Sequence, residues 1–164
     1  MCEQLTVLSE RLGQLLVARQ QQIAVAESCT GGLIAQSLTD IAGSSAWFER
    51  GFVTYSNLSK IQMLGVQTKT LDQYGAVSAE TAFEMVSGVL QHSEADCAVA
   101  VTGIAGPTGG TVTKPVGTVF IAWMFKGQTH SCEQLHFNGD RRAVRLQAAA
   151  HALQYYVDIL MGSD

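Results

Sequence analysis

Ser28 stands in the run Ala26-Glu27-Ser28-Cys29-Thr30-Gly31-Gly32, between a short apolar stretch and a stretch with helical spacing. A serine there lies just before a helix N-terminus, where backbone N–H groups favour negative charge, either a phosphate or a developing oxyanion. Gly31 and Gly32 lack side chains and let a ligand approach the backbone. Two readings of Ser28 stand side by side: the nucleophile of an acyl transfer, or a capping serine before a packing turn. Cys29 is a rival nucleophile. Neighbours in such a turn point in different directions, so only one faces a site, and Cys29 is expected to be buried as a small hydrophobe.

Lys60 is the second chemical candidate. With Asn57 as N-cap, it falls in the first turn of a short helix that Gly65 ends. A cation there opposes the macrodipole, which disfavours its charged form, more so with burial. A neutral lysine can take the proton of a serine hydroxyl; the alternative is a solvated surface lysine. Arg141, Arg142 and Arg145 repeat the anomaly at the start of the last helix. At roughly 100° per residue Arg145 falls within the apolar stripe and is expected to point inward, where an arginine needs an anion. That anion is a ligand phosphate or Glu27. Arg142 stays open between solvent and an interface.

The segment Gly103-Ile104-Ala105-Gly106-Pro107-Thr108-Gly109-Gly110 is glycine-rich but fits neither a P-loop nor a dinucleotide fingerprint. Thr102, just before it, is its residue nearest a ligand. His92, His130, His136 and His151 share no spacing that suggests a triad or a metal centre.

The elements that must position these residues follow from periodicity. Leu5, Leu8, Leu12, Leu15 and Leu16 predict an amphipathic helix over 3–20. Residues 22–26 read as a strand, 33–39 as a helix and 52–55 as a second strand. Ser78 caps a helix with the stripe Ala82, Met85, Val86, Val89 and Leu90. The apolar run 97–102 reads as a central strand buried on both faces. Residues 118–125 and 131–137 read as an antiparallel hairpin turning at Lys126-Gly127-Gln128. Asp140 caps a final helix with the stripe Ala149, Ala152, Leu153, Tyr156 and Leu160. The implied class is α/β: a single domain over 1–164, a three-layer α/β/α sandwich with a mixed, mostly parallel sheet and an antiparallel C-terminal hairpin. In such sheets ligands bind at the carboxyl ends of the strands, where the Ser28 turn, the Tyr55-Ser56-Asn57 segment with Lys60, and the loop from Thr102 converge.

Composition narrows the function classes. The 164 residues are 47 % hydrophobic and 15 % charged, with a formal net charge of −4. That is a globular composition, and its acidic balance gives no long-range pull on nucleic acid or anionic lipid. The four cysteines form no CxxC pair and read as reduced cytoplasmic thiols. No apolar run approaches the about 18 residues of a membrane span. No metal or cofactor is expected.

Six ordered stretches, AESCTGG at 26–32, SSAWFERGFVTYSNLSK at 44–60, GAVS at 75–78, TGIAGPTGG at 102–110, KPVGTV at 114–119 and GDRRAVR at 139–145, resemble the C-terminal domain of the competence/damage-inducible protein CinA. The resemblance spans nearly the whole chain. It implies a serine amidohydrolase that converts nicotinamide mononucleotide (NMN) to nicotinate mononucleotide and ammonia in pyridine-nucleotide recycling. By position it implies a catalytic Ser28/Lys60 dyad with Tyr55 beside it. It also implies substrate contacts from Glu27, Thr30, Gly31, Gly32, Asn57, Thr102, Gly103, Gly106, Arg141 and Arg145. It implies a homo-oligomer, a dimer by preference, with the apolar residues near Trp47-Phe48 as interface or core. Longer relatives carry a pyrophosphatase domain absent here. The alternatives are hydrolysis of another amide or ester by the same dyad, and a non-catalytic nucleotide-binding or competence-related interaction module.

Overall fold

The computed structural model describes residues 2–162. Their elements are α1 (Cys2–Ala18), β1 (Ile23–Glu27), α2 (Leu33–Thr39), β2 (Phe48–Val53), α3 (Asn57–Leu64), α4 (Thr68–Tyr74), α5 (Ala79–Gln91), β3 (Cys97–Gly103), β4 (Thr118–Phe125), β5 (Ser131–His136) and α6 (Arg141–Gly162). The sheet order is β2-β1-β3-β4-β5. β2, β1 and β3 are parallel; β4 is antiparallel to β3, and β5 to β4. Four of the five strands therefore point one way, with β4 opposed.

The central strands alternate large with small residues, because both faces are buried. Ile23, Val25, Cys97, Val99, Val101, Ile121 and Trp123 form one face with the leucines of α1 and the stripe of α6. Ala24, Ala26, Ala98, Ala100 and Ala122 form the other, under Ala82, Met85, Val86 and Val89 of α5. The small face brings α5 close to the sheet. α3 lies against α5 at Gly88, where any Cβ would collide with the Leu64 carbonyl. The buried Trp123 and Tyr156 each find a polar partner, as buried aromatic N–H and O–H groups require. Trp123 Nε1 donates to Ala152 O at 2.9 Å, and Tyr156 Oη to Ala98 O at 2.6 Å.

Register sets the site. Glu27 pairs with Val53 on one side and Val101 on the other, so β1 and β2 end level while β3 runs two residues further, to Gly103. Ser28 and Thr54 leave the sheet at its carboxyl edge beside Thr102, which still pairs with Phe120 of β4.

Four local expectations change. β2 is Phe48–Val53 and not 52–55; it is an edge strand, and the Glu49-Arg50 pair within it hides its pattern. Ser56, not Asn57, caps α3: its Oγ accepts from Ser59 N at 3.0 Å, and Asn57 opens the helix. α4 has no local cap and was not foreseen. A carboxylate from α5 serves it instead, with Glu84 accepting from Gln67 N at 2.8 Å and Thr70 Oγ1 at 2.5 Å. Trp47 is buried against Gly13 of α1, so this residue belongs to the core. Cys29, Cys97 and Cys132 are free thiols, and the thiol of Cys2 lies outside the described residues. Among the described residues no helix is long and apolar enough to cross a membrane.

Candidate active site

Ser28 continues β1 by one hydrogen bond, from its N–H to Val101 O at 3.0 Å. The chain then turns sharply into α2. Gly31 and Gly32 hold φ of +60° and +100°, a region that side chains disfavour, and Gly31 N donates to Ser28 O at 3.0 Å. Gly32 occupies the N-cap of α2 and has no side chain to cap with. Glu27 takes over that role. Its carboxylate accepts from Gly32 N at 3.1 Å, Ile34 N at 3.0 Å and Ala35 N at 2.8 Å. Three otherwise orphaned donors at a helix start are thus satisfied by the residue preceding Ser28.

Lys60 reaches Ser28 from α3. Its side chain is buried, 1 % exposed. Nζ lies 3.0 Å from Ser28 Oγ, 2.8 Å from Thr54 O and 3.2 Å from Tyr55 O. Among the described residues no carboxylate forms an ion pair with it. Burial pushes its pKa down from 10.5 to about 8. Burial is the largest cause of the shift, and Lys60 also sits near the start of α3, as expected. Nζ donates to all three oxygens; once deprotonated it can keep both carbonyl bonds and turn its lone pair to the Ser28 hydroxyl proton. The Cys29 thiol is buried and pushed up to about 11, which leaves it protonated and a poor nucleophile at neutral pH.

Ser28 and Lys60 open into a cavity of about 330 Å³. The β3–β4 loop supplies one wall with Gly103, Ile104, Ala105, Gly106, Thr108 and Gly109. Ala76 and Val77, before α5, supply another, and Tyr55 and Arg141 stand at the rim. Thr102 Oγ1 donates to Ala76 O at 2.7 Å and joins those walls from below. Arg141 spans the rim, donating to Gly106 O at 2.8 Å and to Tyr55 Oη at 2.9 Å. Among the described residues no carboxylate borders the cavity.

Of the residues expected at a ligand, Ser28, Tyr55, Lys60, Thr102, Gly103, Gly106 and Arg141 border this cavity. Glu27, Thr30, Gly31, Gly32, Asn57 and Arg145 do not. Glu27 is spent on α2. The N–H groups of Gly31 and Gly32 are taken by Ser28 O and Glu27, so these glycines serve the turn's backbone. Arg145 points inward as expected and is not bonded to Glu27: it donates to Cys29 O at 3.1 Å and Thr30 O at 2.8 Å. Two carbonyls satisfy a partly buried guanidinium, a solution that charge-pairing arguments overlook. With Arg141 and Arg142 it borders a separate hollow of about 450 Å³ beside Leu33, Gln36 and Leu146. Ala76, Val77, Ile104, Ala105, Thr108 and Gly109 were not singled out, their signal being membership of the GAVS and glycine-rich stretches; Cys29 borders the cavity beside Ser28, although only one of the two was expected to face it. The histidines stay outside, His92 on Gly88 O, His151 on Glu133 and His130 against the Phe83 ring.

Comparison with known proteins gives a consistent picture. The family model described as the CinA C-terminal domain matches residues 5–160. The chain is 56 % identical, over 90 % of both chains, to a protein of Enterobacter agglomerans named nicotinamide-nucleotide amidohydrolase PncC. It is 55 % identical, over 92 % of both chains, to the protein of that name in Escherichia coli K12. Among solved structures, the competence/damage inducible protein CihA from Agrobacterium tumefaciens superposes with a TM-score of 0.93 at 44 % identity, covering 95 % of each chain.

Proposed function

The chain belongs to the CinA C-terminal domain family, and on that premise we propose that it is an amidohydrolase converting NMN to nicotinate mononucleotide and ammonia through a Ser28/Lys60 dyad. One observation carries the mechanism: a buried lysine amine 3.0 Å from a serine hydroxyl, with its other two contacts to carbonyls and its pKa lowered to about 8. The substrate's identity rests on the names of the two relatives above 50 % identity.

Neutral Lys60 accepts the Ser28 proton as Oγ attacks the carboxamide carbon. The carbonyl π electrons move to oxygen. With the N–H groups of Gly31, Gly32 and Ile104 engaged, the oxyanion turns to Ala105 and Gly106 of the loop across the cavity. Collapse of the intermediate breaks the C–N bond, and protonated Lys60 gives its proton to the departing nitrogen, which leaves as ammonia. Lys60 next deprotonates a water molecule. That water attacks the acyl ester, the Ser28 C–O bond breaks, and the proton returns to Ser28. Arg141 at the rim meets the 5′-phosphate, and the exposed Tyr55 beside it flanks the nucleotide. Arg145 keeps the nucleophile's turn in place from behind.

The same reading takes the chain as a cytoplasmic homo-oligomer, a dimer by preference, and sedimentation of the purified protein tests that. The activity is tested by ammonia release from NMN, nicotinamide riboside, nicotinamide and glutamine. Wild type is expected to act on NMN foremost, and Ser28→Ala to lose at least about a thousandfold in turnover. A folded Ser28→Ala protein with near wild-type turnover overturns the dyad. Release from another amide in preference to NMN overturns the substrate.

A further inference from the structure

The stretch KPVGTV begins with Lys114, a residue that does not border the cavity and has no part in the chemistry above. Its position in the fold is nevertheless specific. The loop between β3 and β4 runs from Ile104 to Gly117. Its base is tied to the sheet by Ile104 N to Thr118 O and Gly117 N to Ile104 O, both at 2.8 Å. Beyond Gly106 the loop is mostly exposed, and Pro107 to Thr113 lie in solvent. Lys114 is half-buried there. It is braced locally, with Thr111 N donating to its carbonyl at 2.8 Å and its own N–H donating to Thr111 Oγ1 at 3.0 Å. Its Nζ crosses to the segment before α5 and donates to Tyr74 O at 3.1 Å and Val77 O at 2.5 Å.

Those carbonyls flank Ala76 and Val77, the cavity wall facing the glycine loop. Lys114 therefore fastens one wall to the other from outside, as Thr102 does from below through Ala76 O. Arg141 also ties the loop to α6 through Gly106 O, and Thr118 holds Pro115 O near the loop's end. The ammonium has hydrogen bonds to carbonyls and no carboxylate partner among the described residues, so its bonds are directed at backbone whose only element of interest is this wall.

We propose that Lys114 is a positioning residue that sets the separation of the two cavity walls, and thereby the fit of the substrate over Ser28. This rests on the amidohydrolase reading for its kinetic consequence and on geometry alone for its structural one. Losing the clasp lets the walls part while Ser28, Lys60 and their contacts stay in place. Binding then weakens and the proton transfer does not.

The test compares wild type, Lys114→Met and Lys114→Arg. For Lys114→Met, KM for NMN is expected to rise about tenfold with kcat within about twofold. The pH dependence of kcat is expected to be unchanged, because Lys60 is untouched. Arginine also donates to two carbonyls and is expected to restore most of the loss. Amide hydrogen exchange, which needs no substrate, is expected to quicken in Lys114→Met at residues 75–78 and 104–113 and to be restored in Lys114→Arg. Unchanged exchange in those segments overturns the clasp. A lower melting temperature with unchanged KM overturns its role in substrate fit. Absence of NMN turnover in the wild type itself would strike at the proposed function, while the exchange result would still decide whether Lys114 joins the walls.

Discussion

The floor of the cavity and its rim are built by different means. The floor, Ser28 with Lys60, sits where β1 and β2 end level beside β3, and its groups are held by backbone geometry, a carboxylate-capped helix and burial. The rim, from Pro107 to Thr113 with Tyr55 and Arg141, is exposed and is fastened by a few side-chain hydrogen bonds. Burial is what lowers the charge preference of Lys60, so proton chemistry belongs to the floor. Exposed donors with spare capacity suit a charged ligand, so selection belongs to the rim. The division predicts that floor variants change kcat and rim variants change KM.

The largest expected effect is on the floor. Lys60→Met is expected to lower kcat by about 10²–10⁴-fold, the range for loss of a general base, in a protein that stays folded because methionine fills the same apolar space. Comparable turnover in a folded variant breaks the floor's assignment. Next comes the turn's support. Arg145→Ala leaves the carbonyls of Cys29 and Thr30 without their donor, at a cost of about 1–3 kcal/mol in stability. It is expected to lower kcat more than it raises KM. A pure KM effect would move Arg145 to the rim as a phosphate contact. Arg141→Ala is expected to raise KM for NMN about tenfold and to leave kcat nearly unchanged, and nicotinamide riboside, which lacks the phosphate, is expected to be insensitive to it. The smallest effect is in the wild type. kcat/KM is expected to rise with pH and to level off above about pH 8, as Lys60 loses its proton. Because the folded pKa lies below the unfolded value near 10.5, the unfolded chain binds more protons between about 8 and 10.5. Lys60 therefore adds stability as pH rises through that window, and it works against stability below it. Thermal melts of wild type and Lys60→Met across pH 7–10 read this directly.

Much of this arrangement was legible before any coordinates. α2 runs from Leu33 to Thr39 as its spacing indicated, and the stripes of α1 and α6 are buried as the leucines and alanines required. What escaped depends on partners distant in sequence. The cap of α4 is Glu84, the cap of α2 is Glu27, and neither lies at a local capping position. The strand β2 carries charge because it is an edge. At the site, Ser28 and Lys60 were found because a nucleophile and a base leave marks in residue type. The helix start that bears on Lys60's charge is visible in sequence, whereas the extent of its burial among carbonyls is a property of the assembled fold. Arg145 points inward as its place in the stripe indicated, and its bonds to the Cys29 and Thr30 carbonyls escaped, since backbone carbonyls are invisible to any rule written for side chains.

The small face of the sheet has a consequence for how this enzyme can drift in sequence. Lys60 rides on α3, α3 leans on α5 at Gly88, and α5 rests on Ala24, Ala26, Ala98, Ala100 and Ala122. The reach from amine to hydroxyl is thus gauged by methyl groups that are missing from a stack of residues well away from the cavity. A larger residue at any of these positions would act as a shim, lifting the base from its nucleophile without touching either. The alanine layer should therefore accept far less change than its plain chemistry suggests.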